Sequence, residues 1–359
     1  MTTVATIIPH SRPAIDEEDL QAAAEVLGSG QIAQGPRVEQ FERHMATFVG
    51  VQGGVAVSSG TAALELALRA LMIGVGDEVI MPSYVCAAPW LATQRVGAQA
   101  TLVDIDLNTF NIDPLAARRA ITKKTRAIIV PHLFGLPAEL TALEGLGIPL
   151  IEDCAQTLGV TEQGRLVGTV GRLTVCSFYA TKILCAGEGG MVLSNEETLL
   201  ERIASLREYD GAAALDPSSF NLKLTDLQAA LGLSQLGRFS AFQERRSFLA
   251  AAYRNTLSSK TAVCPSAPPG RTHGYYRFVI RLPHLRSNPD GLIGLISRLE
   301  QQGIHCRKPV FRPLHRYLDQ SGFPHSDEAD RTALSIPLYP DLTDDEVLQI
   351  QQSLAQVLS

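Results

Sequence analysis

The sequence predicts an α/β protein with a mostly parallel central sheet flanked by helices, plus a smaller C-terminal α+β domain. Short, nearly continuous apolar segments alternate with helical patterns over the first two-thirds of the chain, which is typical of parallel strands buried on both faces. Near residue 240 this alternation gives way to a long amphipathic pattern and a Pro/Gly-rich stretch. In a chain of 359 residues, we therefore expect a large domain over 1–240 and a small one over 241–359.

Seven apolar segments in the large domain predict strands, because each is short and is bounded by turn residues or helical patterns. They are 53–57, 78–81, 100–103, 126–130, 149–151, 173–178 and 190–193. Helices are expected over 62–71 and 87–96. Thr225 and Gln228 have the spacing of a capping box and predict the start of another helix.

The smaller domain is predicted from a different pattern. A helix over 242–257 is followed by the Pro/Gly-rich stretch 265–270, a strand over 275–282 and a helix over 291–302. A last helix is expected after Thr343.

Composition and charge exclude several classes of protein. Hydrophobic residues make up 45% and charged residues 19%, as in ordinary globular proteins. The net charge of -6 gives no electrostatic reason to bind nucleic acid or an anionic membrane. The N-terminus lacks the pattern of a signal peptide, and the six cysteines have no paired spacing. We therefore expect a cytoplasmic protein with reduced thiols and no metal site.

The first candidate site is the segment Ser58-Ser59-Gly60-Thr61, between a predicted strand and a predicted helix. Free amides at a helix N-terminus, together with hydroxyl groups, can bind an anion such as a phosphate. A capped helix without a ligand explains the segment equally well. Neither a Walker loop nor a GxGxxG fingerprint is present.

Two further candidates follow later predicted strands. Asp153 lies at the end of the strand near 149–151, where open α/β sheets bind ligands, and a carboxylate there can pair with a protonated ring nitrogen. Lys182 stands among apolar residues, and burial favours the neutral amine that a covalent carbonyl linkage needs. A helix-capping Asp and an exposed loop Lys are the simpler alternatives.

The order of the three candidates is more informative than any one of them. A phosphate-binding turn comes first, then Asp153, and then Lys182 at 182 − 153 = 29 positions later, with Ser177 close by. These are the parts needed to hold pyridoxal 5'-phosphate (PLP): a phosphate site, a partner for the pyridine nitrogen and a lysine for the aldehyde.

At these residues the chain resembles the DegT/DnrJ/StrS family of nucleotide-sugar aminotransferases, which have the aspartate-aminotransferase-like PLP fold. The resemblance covers nearly the whole chain. It is carried by the segments 29–42, 58–68, 76–84, 103–113, 132–140, 151–156, 177–195, 220–236 and 334–343.

The resemblance implies roles for individual residues. Lys182 would bind the PLP aldehyde and later move protons, and Asp153 would pair with the pyridine nitrogen. The remaining PLP contacts would be made near the ring oxygen and at the phosphate, by Gln156, Gly60, Thr61 and Ser177. Asn221 resembles an asparagine that reaches the phosphate of the neighbouring subunit, which implies a homodimer with shared active sites.

One position departs from the family pattern. Relatives carry an aromatic residue that stacks on the cofactor ring, two places after the position of Tyr84, whereas this chain has Cys86. Cys86 could pack against the ring as a small polarizable group. Alternatively, Tyr84 or Trp90 could replace the missing aromatic ring.

The implied reaction is a transamination in two halves, in which glutamate or glutamine donates an amino group that a nucleotide-linked keto-sugar then receives. Three alternatives remain: amination of another cyclic ketone such as a cyclitol, a dehydratase, and a non-catalytic sensor or regulator with this fold. The dehydratase branch would have a histidine in place of Lys182. A degenerate regulator would have no need to retain Lys182, Asp153 and Ser177.

For some other residues, the sequence leaves two alternative roles open. His132 could line the site or make structural hydrogen bonds. A basic cluster near 307–316 could bind substrate phosphates or simply form a solvated surface. Its members are Arg307, Lys308, Arg312, His315 and Arg316.

Overall fold

The computed structural model describes residues 7–210, 216–257, 262–288 and 290–358. Its helices are α1 (Glu17–Ser29), α2 (Pro36–Val49), α3 (Gly60–Ala70), α4 (Ala88–Arg95), α5 (Pro114–Ala120), α6 (Leu140–Glu144), α7 (Glu197–Arg207), α8 (Asp226–Gly237), α9 (Phe239–Thr256), α10 (Gly291–Gln301), α11 (Leu314–Tyr317), α12 (Pro324–Thr332) and α13 (Asp344–Leu358). Its strands are β1 (Gly53–Val57), β2 (Glu78–Pro82), β3 (Gln99–Val103), β4 (Thr125–Pro131), β5 (Leu150–Asp153), β6 (Thr161–Glu162), β7 (Arg165–Leu166), β8 (Leu173–Ser177), β9 (Gly190–Ser194), β10 (Phe278–Arg281) and β11 (Ala333–Ile336).

The central sheet contains seven strands in the order β1-β9-β8-β5-β4-β2-β3. The pairs from β8 to β3 are parallel, while β9 runs antiparallel to both of its neighbours. All seven segments predicted as strands lie in this sheet, with ends that differ by one or two residues. The predicted mostly parallel α/β fold is therefore confirmed.

Helices cover both faces of this sheet, which explains why its central strands are largely apolar. Adjacent residues of a strand point to opposite faces. Val175 of β8 packs into the cluster that contains α3 and α7, whereas Cys176 packs into the cluster that contains α2 and α8. Neither face of β8 meets water, so no polar alternation marks it in the sequence.

A second apolar core is built from the C-terminal part of the chain. The antiparallel pair β10–β11 packs with α9, α10 and α13 around this core. The helices predicted over 242–257, over 291–302 and after Thr343 correspond to α9, α10 and α13. Helix α9 joins the two cores, since Phe239 packs in the first and Tyr253 in the second. The domain bounds 1–240 and 241–359 stay a prediction.

Some elements differ from the predictions. The strand expected over 275–282 is shorter, because Tyr275 has a φ of 46° and left-handed backbone cannot continue a strand. Helix α3 begins before the expected residue 62, since the side chain of Ser59 accepts a hydrogen bond from the Ala62 amide and caps the helix. The capping box predicted at Thr225 and Gln228 is present at the start of α8.

Among the described residues, no helix is long and apolar enough to cross a membrane. The six cysteines are free thiols.

Candidate active site

The predicted site residues lie where several parallel strands end. Strand β5 ends at Asp153, and β8 ends at Ser177. Strand β1 leads directly into the turn before α3. Because parallel strands share a direction, their carboxyl ends meet at one edge of the sheet, where α/β proteins bind ligands. The fold thus brings together residues that the sequence separates by more than a hundred positions.

A compact cup forms at the N-terminus of α3. The Ser59 hydroxyl accepts from the amide of Ala62 at 3.1 Å and caps the helix. Gly60 approaches Ser177 so closely that an added Cβ would lie 2.8 Å from the Ser177 Cβ. Gly60, Thr61 and Ser177 are therefore neighbours, and the free amides at the start of α3 make this cup suited to a phosphate.

Gly190 lies against the cup because it pairs with Ser177 across β8 and β9. A Cβ on Gly190 would lie 2.4 Å from the main-chain carbon and oxygen of Ser59 and 2.7 Å from the Gly60 nitrogen. Real Cβ atoms do not come that close to backbone, so only glycine fits at this position.

Replacing Gly190 by Ala should therefore push the start of α3 away from Ser177. We expect a loss of about 1–3 kcal/mol in the free energy of unfolding and weaker binding of PLP. Urea unfolding of the apoprotein and a cofactor titration would measure the two effects. The matched control is Gly237→Ala, since no atom lies within 4 Å of a Cβ added there. Equal effects of the two substitutions would contradict the close packing at Gly190.

Asp153 is buried, and the charge of Lys182 acts on it. Asp153 is 7% exposed, and its Oδ1 accepts from the amide of Ala155 at 3.0 Å. Burial raises the pKa of Asp153, while the Ala155 amide and the charges of Lys182 and His132 lower it.

Asp153 lacks a cationic partner suited to its burial. Among the described residues, no lysine or arginine forms an ion pair with this carboxylate. A buried carboxylate without a partner is costly, which is why its pKa rises. A protonated pyridine nitrogen would supply the missing cation. The residues therefore fit PLP: Asp153 would hold the ring nitrogen, Lys182 the aldehyde and the α3 cup the phosphate.

Cys86 lies on the turn after β2. It is accessible to solvent, although protein atoms surround it. Burial raises its pKa, the charge of Lys182 lowers it and that of Asp153 raises it. Tyr84, in contrast, is fully buried and stacks on Phe110 at 6.0 Å between ring centroids. Trp90 packs against the large apolar core. Of the three side chains considered for the ring face, Cys86 is the one whose pKa responds to the charges of Lys182 and Asp153. Its packing against the ring stays a prediction.

Gln156 and Asn221 have different surroundings. Gln156 follows Asp153 closely, and its Oε1 accepts from the amide of Phe134 at 3.0 Å. The side chain of Asn221 is exposed. The next residue, Leu222, accepts a hydrogen bond from the amide of Ser58 at 2.7 Å, so the Asn221 segment runs beside the entrance to α3.

His132 matches the structural alternative. It is fully buried, its Nδ1 accepts from the amide of Ala138 at 3.0 Å, and its Nε2 donates to Glu152 at 3.0 Å. Glu152 also accepts from the amides of Gly168, Val170 and Gly171. Although His132, Glu152 and Cys154 cluster like metal ligands, the ring nitrogens of His132 and the Glu152 oxygens already have partners.

The basic cluster near 307–316 divides into two groups. Arg307 and Lys308 line a cleft of about 710 Å³ that reaches Thr181, next to Lys182. His315 is instead buried between Ser83 and Asp327. The guanidinium of Arg312 donates to the main-chain oxygen of Arg316, and Arg316 itself pairs with Asp327.

Sequence reasoning missed several residues of this cleft. Arg277 lines it from the turn before β10, and His10 lines it from the N-terminal segment. Burial and the charges of Arg277 and Arg307 lower the pKa of His10 to about 3, so the ring is neutral. Tyr276 lies beside Lys182, with 5.5 Å between the lysine Nζ and the ring centroid. No local sequence motif marks these residues, because tertiary contacts bring them to the site.

Comparison with known proteins identifies the family. The profile of the DegT/DnrJ/EryC1/StrS aminotransferase family matches residues 13–355. The spore coat polysaccharide biosynthesis protein SpsC of Bacillus subtilis is 32% identical over 378 residues, covering 98% of this chain and 97% of SpsC.

Two solved structures extend the comparison. S. venezuelae DesV, in complex with a ketimine intermediate, has a TM-score of 0.87 and 32% identity, covering 97% of this chain and 98% of DesV. DesI, in the presence of its TDP-sugar product, has a TM-score of 0.90 and 27% identity, covering 98% and 93%.

Fold and site thus define a PLP-dependent aminotransferase, as the sequence predicted. The chain belongs to the DegT/DnrJ/EryC1/StrS aminotransferase family.

Proposed function

We propose that the enzyme transfers an amino group from glutamate or glutamine to a keto group of a nucleotide-linked sugar, as a cytoplasmic homodimer with shared active sites. The observation that carries this proposal is the cleft of about 710 Å³ that reaches Thr181, the residue before Lys182. A substrate with a sugar at Lys182 and phosphates further along would fill a cleft of this kind.

The charges along the cleft suit a diphosphate. Arg277, Arg307 and Lys308 contribute three cationic side chains, although Lys308 also pairs with Asp330. Arginine binds phosphate oxygens through paired hydrogen bonds. Because the whole chain has a net charge of -6, this local cationic group, and not the overall field, would attract an anionic substrate. The TDP-sugar product named for the relative DesI supports the same substrate class.

The proposed roles follow from the position of each group. PLP, when bound, accepts the electrons released at the substrate carbon. Asp153 would stay ionised and keep a proton on the ring nitrogen. Lys182, once free of the cofactor, would remove the proton from the substrate carbon and return it to the cofactor carbon, acting as general base and then acid. Gln156 would contact the oxygen on the cofactor ring and so orient the ring. Cys86 would pack against the ring face.

Loading the enzyme with pyridoxamine phosphate and adding candidate acceptors would test the substrate class. We expect keto-sugar nucleotides to restore the PLP absorbance, whereas the free keto-sugar reacts far more slowly because it leaves the cationic residues of the cleft unpaired. Equal rates with both acceptors would show that the enzyme does not recognise the diphosphate of the substrate. A rapid reaction with keto-inositol would favour cyclitol amination.

The shared site can be tested by mixing two inactive variants. Lys182→Ala lacks the reactive lysine, and Asn221→Asp places a negative charge near the phosphate of the partner's site. In a mixed dimer, one site would combine an intact Lys182 with an intact Asn221. We expect equal mixing, with exchange of subunits, to restore roughly one quarter of the wild-type activity. If Asn221 serves its own subunit, mixing restores nothing beyond the activity of the separate variants.

A further inference from the structure

Tyr276 belongs to the C-terminal part of the chain, but its side chain lies beside Lys182. It lies on the turn before β10, yet its side chain packs in the core that contains α2 and α8. It is 4% exposed, and its ring centroid lies 5.5 Å from the Nζ of Lys182. None of the roles assigned above uses this residue.

The Tyr276 hydroxyl is surrounded by donors and positive charges. The side chains of Thr181 and Arg277 hydrogen-bond to it. Burial raises the pKa of Tyr276, but the charges of Lys182 and Arg277 outweigh burial and lower it to about 8. A third cation, Arg246 of α9, donates to the main-chain oxygen of Tyr276 at 3.1 Å. Each of these charged neighbours favours the ionised phenol.

The position of Tyr276 is fixed by a turn that also contacts the cofactor site. The Gly135 oxygen accepts from the amide of Gly274 at 2.7 Å, and the Phe134 oxygen accepts from the amide of Arg277. A Cβ on Gly135 would lie 2.6 Å from the nitrogen of Tyr276. The amide of Phe134 in turn donates to Gln156. The backbone around Tyr276 is therefore clamped to the wall of the site.

We propose that Tyr276 is a positioning residue for Lys182: its phenol holds the lysine nitrogen in place and stabilises the positive charge on that nitrogen when it is joined to the cofactor. The interaction is reciprocal, because a cation that favours the phenolate is itself favoured by the phenolate. A positively charged linkage makes the attached carbon more open to attack by the amino donor. The inference rests on the proposed role of Lys182.

The test is a pH titration of the absorbance of the bound cofactor, with no amino donor or sugar present. Tyr276→Phe keeps the ring but removes the hydroxyl. We expect the midpoint of the titration to fall by about 1 pH unit, since an opposite charge at this range shifts a titration by that order. Tyr253→Phe is the matched control, because that buried hydroxyl donates to the Pro337 oxygen in the C-terminal core. Its midpoint should equal that of the wild type.

Two further variants keep the inference testable if Tyr276→Phe does not fold. Thr181→Val removes a hydrogen bond to the phenol and should lower the midpoint by a smaller amount. Gly135→Ala displaces the backbone of Tyr276 and should lower it without touching the hydroxyl. An unchanged midpoint in Tyr276→Phe, or in Thr181→Val if the first variant is unstable, overturns the inference. Failure of the Lys182 assignment is recognised separately, since Lys182→Ala would then still attach the cofactor.

Discussion

Replacing Lys182 by Ala is expected to abolish covalent attachment of PLP and to lower the turnover number by at least about 10⁴-fold, because the variant loses the group that both binds the aldehyde and moves the proton. Borohydride reduction followed by mass spectrometry would locate the attached cofactor. In the wild type the added mass should lie on the peptide that contains Lys182. In Lys182→Ala the protein should remain unlabelled even when PLP is bound.

The control for this prediction is Lys124→Ala, which removes an exposed lysine from the turn before β4. It should retain both labelling and activity. Added methylamine offers a second check, since a small amine can partly replace the missing side chain in a site that is otherwise intact. If Lys182→Ala were still labelled at a single lysine, another residue would hold the aldehyde and the assignment would fall.

Asp153→Asn is expected to lower the turnover number about 10²–10³-fold while PLP stays attached to Lys182. The amide has the shape of the carboxylate, but it cannot stabilise a proton on the ring nitrogen. Losing one preorganised electrostatic partner in a buried site has an effect of this size, equivalent to about 3–4 kcal/mol of transition-state stabilisation. Steady-state kinetics of the donor half-reaction would measure it.

Two comparisons separate this effect from simple loss of a buried charge. Asp226→Asn removes another buried carboxylate, which accepts from the amide of Val38 at 3.0 Å, and should leave the donor half-reaction unchanged. A cofactor analogue without the ring nitrogen should slow the wild type but make Asp153→Asn no slower, because the two changes remove the same interaction. Additive losses would show that Asp153 acts on some other group.

Much of the fold could be predicted from the sequence because the sheet is covered by helices on both faces. The strands are short and largely apolar, so the pattern locates all seven of them without any tertiary information. The predictions at the ends of elements were poorer. Local backbone decided those ends, as at Ser59, which caps α3, and at Tyr275, whose positive φ stops β10 from beginning earlier.

Local motifs also explain which site residues could be found. Asp153 and Ser177 end predicted strands, and Lys182 stands in a segment with a strong family resemblance. Cys86 was noticed because it departs from a pattern. The sequence alone could not decide whether His132 lines the site or makes structural hydrogen bonds. Its hydrogen bonds to Ala138 and Glu152 favour the structural role.

The sequence by itself determined the order of strands and helices, the family and the chemical groups that can hold PLP, because these depend on residue type and spacing along the chain. Only the tertiary structure decided that Tyr276 lies beside Lys182 and that Gly190 packs against the α3 cup. The physical reason is that burial and charge act through space. The pKa of the Tyr276 phenol is lowered in part by the charge of Lys182, which folding brings beside it although the two residues are 276 − 182 = 94 positions apart in the chain.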